Sequence, residues 1–516
     1  MTTYRLESLL SPARRRLLTA ATEGAILAGL SLAAGPLRAR PPARTAPTVV
    51  DVLVIGSGAA GLSAAVAARE AGAPNVLLLE KGPLIGGHTL YSSGSIAAVS
   101  PKRTRATGTE DSIEQFVADA LVVGGNHGSA AHLREIALGS ESALDWLESM
   151  GVRFGAPFIA YSEVRPRSYA MPGNGAGRNY ILALARRAGE IGVRIEMNAR
   201  AVSLERARTG SGWCVDVGAT QLQPQMGRKT EALRKIRART VVIATGGFTA
   251  NVARRERINP LVGADVHTSA NPYGRVWDGA DGDGIDLALS AGGIFMEGYG
   301  LQLLPFWGGR LLDYVGGDIY VNLEGKRFVN EALSWGRIAE AILRLPEKRF
   351  WVITDAQSYK GATLGIKLLN GIVKKSETIA EMADGMGIPA QTLERTINEY
   401  NRCVRDGFDP VFRKDVFAQE IRKPPFYWGE EHIYVHTSFD GIATDPRGSV
   451  VYKDGRPIPG LFAAGEVVGG IFGRDRLGGG SLANCFVIGR LTGERAAQAA
   501  RLVAAKEEAM RTRLGG

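Results

Sequence analysis

Val52-Leu-Val-Ile-Gly56-Ser-Gly58-Ala-Ala60-Gly61, completed by Leu77-Leu-Leu-Glu80-Lys81, decides the fold. An apolar run of strand length breaks into a glycine turn, an alanine-rich helix follows, and a second apolar strand ends on a carboxylate. The glycines have separate tasks. Gly56 permits the tight turn, Gly58 lets backbone approach a pyrophosphate, and Gly61 lets helix and strand pack closely. The helix N-terminus then faces the phosphates, and Glu80, 24 residues after Gly56, accepts hydrogen bonds from a ribose. Strand, turn, helix and acid in this order read as a dinucleotide site for FAD or NAD.

Working outward, Gly86-Gly87-His88-Thr89 through Gly94 forms a small-residue loop able to wrap a planar ring. Thr240-Val-Val-Ile-Ala-Thr245-Gly246-Gly247-Phe248 repeats the strand-to-glycine pattern and sets a second backbone turn against the dinucleotide. Asp281-Gly-Asp283 opens a helix, where acids favour the N-terminus. The pattern returns at Gly460-Leu-Phe-Ala-Ala-Gly465-Glu466 and ends in Arg476-Leu-Gly-Gly-Gly-Ser481-Leu482, at the start of the last long helix. A nucleotide domain interrupted by a second domain explains this order. Helices are expected near 141–151 and 179–190, strands near 193–197 and 201–204, and an exposed loop or hairpin within the basic stretch 220–239.

At 516 residues the chain has room for two or three domains. The net charge of +10 is not a nucleic-acid signal, because residues 1–46 hold seven arginines and two glutamates, half of the excess. That segment reads Arg14-Arg15-Arg16-Leu17-Leu18, then apolar and alanine-rich to Ala34, then small residues, the order of a twin-arginine export signal. Its shortness and Glu23 speak against a permanent membrane span. The expectation is a periplasmic protein whose mature chain begins near residues 40–46. Cys214, Cys403 and Cys485 lie far apart, with no CxxCH haem site, no iron–sulfur spacing and no metal-ligand cluster. Electrons must therefore leave to a separate acceptor such as a c-type cytochrome or a quinone.

Together with Val321-Asn-Leu-Glu-Gly-Lys-Arg-Phe-Val-Asn330-Glu331, these blocks resemble the flavoprotein family of fumarate reductase, succinate dehydrogenase and L-aspartate oxidase, nearest its soluble periplasmic flavocytochrome c type. The resemblance implies an α/β fold: a discontinuous Rossmann-like FAD-binding domain (48–298 and 438–502) with an inserted α+β capping domain (299–437) and a tail (503–516). It implies FAD held by Gly56, Gly58, Ala60, Gly61, Glu80, Lys81, Gly87, His88, Thr89, Gly94, Thr245, Gly246, Asp283, Glu466, Ser481 and Leu482. The last two would offer backbone N–H groups to the flavin. His88 either carries a covalent bond to the flavin, as the equivalent histidine of membrane-bound members does, or stands beside it unlinked. Asn330 and Glu331 fasten the cap.

The resemblance also makes Arg476 a carboxylate clamp and His436 a substrate-binding histidine. Two further family cations are missing: Gln302-Leu-Leu304-Pro305 stands where a histidine–proline pair is expected, and Trp335 stands in place of the acid arginine, with Arg337 two residues on. Leu311 and Tyr314 replace the proton relay. A site with fewer cations and more apolar surface suits a larger, less charged molecule than fumarate. Tyr314, Tyr320, Tyr434, His436 and Asp313 remain as acid–base candidates, Tyr314 foremost. The expectation is an FAD-dependent oxidoreductase acting on a C–C bond beside a carbonyl or carboxylate, and more a dehydrogenase than a fumarate reductase. A flavin oxidase of C–N or C–O bonds and a non-catalytic electron-transfer subunit remain as alternatives.

Overall fold

The computed structural model describes residues 48–105, 108, 110–160, 165–172, 176–207, 212–220, 234–306, 308–312, 314–360 and 364–514. The expected export signal, most of the basic stretch before residue 234, Trp307 and Asp313 lie outside them.

The quoted stretch forms the centre of an eight-stranded sheet. Strand Thr48–Ile55 runs parallel to Val76–Leu79 on one side and to Arg234–Ile243 on the other, so that Val54 stands between Leu78 and Val242. Val50, Val52, Leu53 and Val54 are fully buried, as in strands covered on both faces. Each such side chain contributes roughly 1.5–3 kcal/mol of transfer free energy. Arg194–Glu196 extends one edge, while Pro457–Ala463 lies parallel to Arg234–Ile243 and brings a late segment back into the same sheet. Trp213–Ala219 and Arg234–Ile243 pair antiparallel, so the end of the stretch expected as an exposed loop or hairpin is a half-buried strand of this sheet, while residues 221–233 lie outside the described residues.

Helix Ala59–Glu70 begins directly after the glycine turn and packs against the long helix Gly480–Leu514. Glycine makes this approach possible: a Cβ at Gly489 would stand 2.7 Å from the Ala60 carbonyl oxygen, and one at Gly493 2.2 Å from that of Ala64. The late segment is thereby locked onto the first βα unit, and its N-terminal turn is carried to the cofactor end of the sheet.

The capping domain is built on a four-stranded antiparallel sheet, in the order Ile319–Val321, Arg349–Thr354, Phe426–His432, Val373–Ser376. Helices Ile379–Met386 and Ala390–Asp406 supply Met382, Leu393, Ile397 and Tyr400 to its core. Beside this core, Glu331 accepts from Arg327 Nε (2.7 Å), Arg327 Nη2 (2.9 Å) and Lys414 Nζ (2.8 Å), while Asn330 bonds the carbonyls of Phe412 and Arg413. Both residues hold the cap's own segments together. The chain enters the cap on strand Leu301–Leu304 and leaves on Tyr434–Ser438, and the two pair antiparallel with Gln302 opposite Thr437. This two-stranded crossing carries Gln302 and His436.

Candidate active site

A cleft opens where the central strands end, at Ile55, Leu79, Ala244 and Ala464. Ligands of open α/β sheets collect at this carboxyl edge. Of the residues assigned to FAD from sequence, all but Gly61, Gly94, Ser481 and Leu482 line the cleft. Gly61 works from behind: a Cβ there would stand 1.9 Å from the Gly56 carbonyl oxygen, so any larger residue pushes the helix off the turn. Gly94 (φ +86°) accepts through its carbonyl from the Tyr180 hydroxyl at 2.7 Å, which fixes the loop carrying His88. Ser481 and Leu482 form the first turn of the last helix, and Cys485, one turn on, reaches the cleft.

The cleft has the chemistry FAD requires. At Gly58 a Cβ would meet protein only in ordinary contact, with the Gly86 carbonyl oxygen 3.9 Å away, so what requires glycine there is the close passage of a pyrophosphate. Gly246, at φ +75°, has nothing within 4 Å on that side. Glu80 accepts from Ser57 N (3.0 Å), the Ser57 hydroxyl and Gly82 N (2.6 Å), which fixes its carboxylate. A carboxylate offers about four acceptor positions, so ribose hydroxyls still find room there. Thr245 lines the same space, and its buried hydroxyl, packed over Gly284, has no hydrogen-bond partner among the described residues. Lys81 bridges Asp281 (2.7 Å) and Asp283 (2.8 Å), with Arg200 beside them. Burial raises the proton affinity of Asp283 in spite of these cations.

His88 and Glu466 line the cleft as well, each held by partners of its own. His88 Nε2 meets Asp278 Oδ1 at 2.7 Å, and Asp278 also accepts from the Thr268 hydroxyl (2.6 Å) and Ala280 N (3.0 Å). Burial works against both charges. The contact with Asp278 nonetheless raises the His88 pKa above its ordinary value, while His88 and Thr268 bring Asp278 down to about 2. Glu466 accepts from Ser438 N (3.0 Å) and the Ser438 hydroxyl (3.2 Å), and burial raises its pKa. The sequence reading overlooked Ser57, Ser438 and Asp278. Ser57 occupies the variable position of the glycine turn, and Asp278 sits in a loop without pattern.

The two residues assigned to substrate come together. His436, next to the cofactor end on strand Tyr434–Ser438, has Nδ1 2.8 Å from the Ser269 hydroxyl. Burial, then the charges of Arg476 and His88, pull its pKa down to about 3, so the ring is neutral. Arg476 bonds the Leu477 carbonyl through Nη1, while its buried Nε has no hydrogen-bond partner among the described residues. Asp475 Oδ1 accepts from Arg476 N (2.8 Å) and Gln302 Nε2 (2.7 Å), and burial raises the Asp475 pKa. Gln302 and Asp475, unassigned from sequence, are thus joined to each other beside Arg476.

Of the remaining candidates, Tyr314 and Tyr320 lie in the cap, and Tyr434 begins the strand that carries His436. Tyr314 packs with Leu311, Leu312 and Val373 in the cap, and its hydroxyl accepts from Tyr359 N at 3.2 Å. Tyr320 is fully buried among Phe306 and Phe350, and burial drives the proton affinities of Tyr320 and Tyr434 upward. Trp335 opens helix Trp335–Leu343 and meets Phe306 edge-on at 6.2 Å. Arg337 is 69% exposed and neighbours only Glu340 among the described charged groups. It does not stand in for the missing acid arginine.

Comparison with known proteins agrees with this geometry. The family described as FAD binding domain matches residues 51–482. The chain is 32% identical over 473 residues to the urocanate reductase of Eggerthella lenta, covering 87% of this chain and 75% of that protein. The open conformation of a flavocytochrome c3 fumarate reductase superposes with a TM-score of 0.76 at 29% identity, over 97% of this chain and 83% of that one. The 3-ketosteroid-Δ4-(5α)-dehydrogenase of Rhodococcus jostii RHA1, in complex with 4-androstene-3,17-dione, gives a TM-score of 0.65 at 25% identity, over 88% and 98%.

Proposed function

The chain belongs to the FAD binding domain family of flavoproteins that includes the fumarate reductases, and on that premise we propose that it dehydrogenates a C–C bond beside a carbonyl or a single carboxylate, on a substrate less charged than fumarate. That it is an FAD-dependent oxidoreductase of CH–CH bonds follows from its family. The observation that carries the finer reading is the charge of the substrate site: a buried guanidinium, Arg476, stands beside a neutral imidazole, His436. A dianion placed there would leave one carboxylate without a cation, at a cost of several kcal/mol where water is excluded. The urocanate reductase and ketosteroid dehydrogenase relatives, by their names, act on other molecules than fumarate.

Bound FAD supplies the redox centre that takes up the hydride. Arg476, with Nε unpaired among the described residues, holds the substrate oxygen and stabilises the negative charge that builds on it as the neighbouring carbon loses its proton. His436 is a poor base at a pKa of about 3. With the Ser269 hydroxyl donating to Nδ1, its Nε2–H donates a second hydrogen bond to that oxygen. The proton itself goes to Asp475, whose Oδ2 makes no hydrogen bond among the described residues and whose proton affinity is raised by burial. Export through the arginine-rich leader and electron delivery to a separate c-type cytochrome or quinone complete the proposal.

The test is an anaerobic spectral titration of the flavin-loaded protein with saturated monocarboxylic acids and cyclic ketones. Bleaching by one of them is the expected result. Bleaching only by amines or alcohols would replace this reading with a C–N or C–O oxidase.

A further inference from the structure

Asp278 belongs to no motif, yet the structure couples it to the cofactor cleft through His88. Glu80 takes the ribose and the helix after Gly58 the pyrophosphate, which leaves the flavin for the rest of the cleft; His88 and Glu466 line that cleft and lie within electrostatic reach of each other and of His436 and Arg476. His88 sits in the short helix Gly87–Tyr91, with 28% of its side chain open toward the cleft, whereas Asp278 behind it is 5% exposed. Three donors converge on the Asp278 carboxylate: His88 Nε2, the Thr268 hydroxyl and Ala280 N. This carboxylate is built to stay ionised, and it faces one titratable partner at hydrogen-bond distance.

We propose that Asp278 is a positioning residue that holds His88 as an imidazolium against the flavin, making this histidine a charged, unlinked neighbour that favours flavin reduction rather than the point of covalent attachment. An imidazolium has no nitrogen lone pair free to bond carbon, since both ring nitrogens carry protons. Two-electron reduction places negative charge on the flavin, and a cation at the wall of a low-dielectric cleft stabilises that charge. The other charged or titratable groups facing His88 are Glu466, whose ionised form favours the imidazolium, and His436, which is neutral. Tyr91, a neutral phenol, and the buried guanidinium of Arg255 lie within electrostatic reach of Asp278, and the Arg255 charge adds to what keeps this carboxylate ionised.

The experiment is spectroelectrochemistry of the flavin-loaded protein, without substrate, for the native chain, Asp278→Asn and His88→Gln between pH 5 and 9. Because no substrate is present, its outcome is independent of the proposed reaction. The native protein is expected to release its flavin into the supernatant on acid precipitation and to show a break in potential against pH at the His88 pKa. His88→Gln should abolish the break and lower the reduction constant at least tenfold, about 30 mV for a two-electron couple. Asp278→Asn should move the break to lower pH. Flavin retained in the acid pellet, or a potential profile unchanged in both variants with flavin still bound, would overturn the proposal. His88→Asn, a second short neutral side chain, separates loss of charge from loss of fit: it should reproduce the His88→Gln profile, and a native-like profile would count against the charge.

Discussion

On the cofactor side of the cleft the backbone sets the specification, while on the substrate side side-chain charge does. Around Gly56, Gly61 and Gly284 the clearances are so small that a Cβ would stand 2.3, 1.9 and 2.0 Å from its nearest neighbour. Around His436 and Arg476 the residue types have changed from those the family resemblance implies, and the crossing strands that carry them keep their pairing. A steric specification tolerates almost no substitution. An electrostatic one can be rewritten residue by residue, and this lets one scaffold hold the same cofactor while changing its substrate. The two sides should therefore fail differently when broken.

The largest effect is expected at Gly61. Gly61→Val forces the helix away from the Gly56 turn, and the purified variant should contain essentially no flavin by its visible spectrum. Next comes Asp475→Asn, which keeps the bond between Oδ1 and Arg476 N but removes the proposed base. Flavin content should stay native while kcat with the best substrate falls about 10²–10⁴-fold and KM barely moves. Arg476→Met should cost about 10²–10³-fold in kcat, also with flavin in place. If either substrate-side variant loses flavin as Gly61→Val does, the division between the two sides is wrong.

A smaller effect concerns pH. The folded pKa of His436, about 3, lies below its ordinary 6.5, so between these values the unfolded chain binds more protons. The contribution of the buried neutral ring is fully present above pH 6.5 and declines as pH falls toward 3. Carboxylates such as Asp278, held at about 2, lose their contribution only below their unfolded value near 3.8. Over pH 6.5 to 4.5, thermal unfolding of His436→Asn should therefore show a shallower loss of stability than the native protein. The smallest effect is expected at Arg337: Arg337→Ala should change kcat less than about twofold, because an exposed side chain with only a loose neighbouring charge contributes little.

This contrast also decides what could be read from sequence. Gly56, Gly58 and Glu80 were legible because backbone sterics leave glycine little competition at a tight turn, and because spacing along the strand–turn–helix unit fixes the acid. Arg476 and His436 were legible through their flanking blocks. Asp278, Asp475 and Gln302 were not, since each gains its meaning from a partner distant in sequence: Asp278 lies 190 residues from His88, and Gln302 lies 173 from Asp475. Tyr314 illustrates the converse. A tyrosine where the family's proton relay is missing, it stands in the sequence as an acid–base candidate, while its hydroxyl accepts from Tyr359 N in the cap. Sequence order places a residue near an element, and packing decides which wall of that element it faces.

The central claim is that a site with Arg476 as its cation and His436 neutral has left the dicarboxylate chemistry of the fumarate reductases. It is tested most directly by reducing the flavin anaerobically and mixing the protein with fumarate or with a monoanionic or uncharged enone or enoate in stopped flow. The account predicts that fumarate reoxidises the flavin at least a hundredfold more slowly than the best monoanionic or neutral compound. Rapid, saturable reoxidation by fumarate would contradict it.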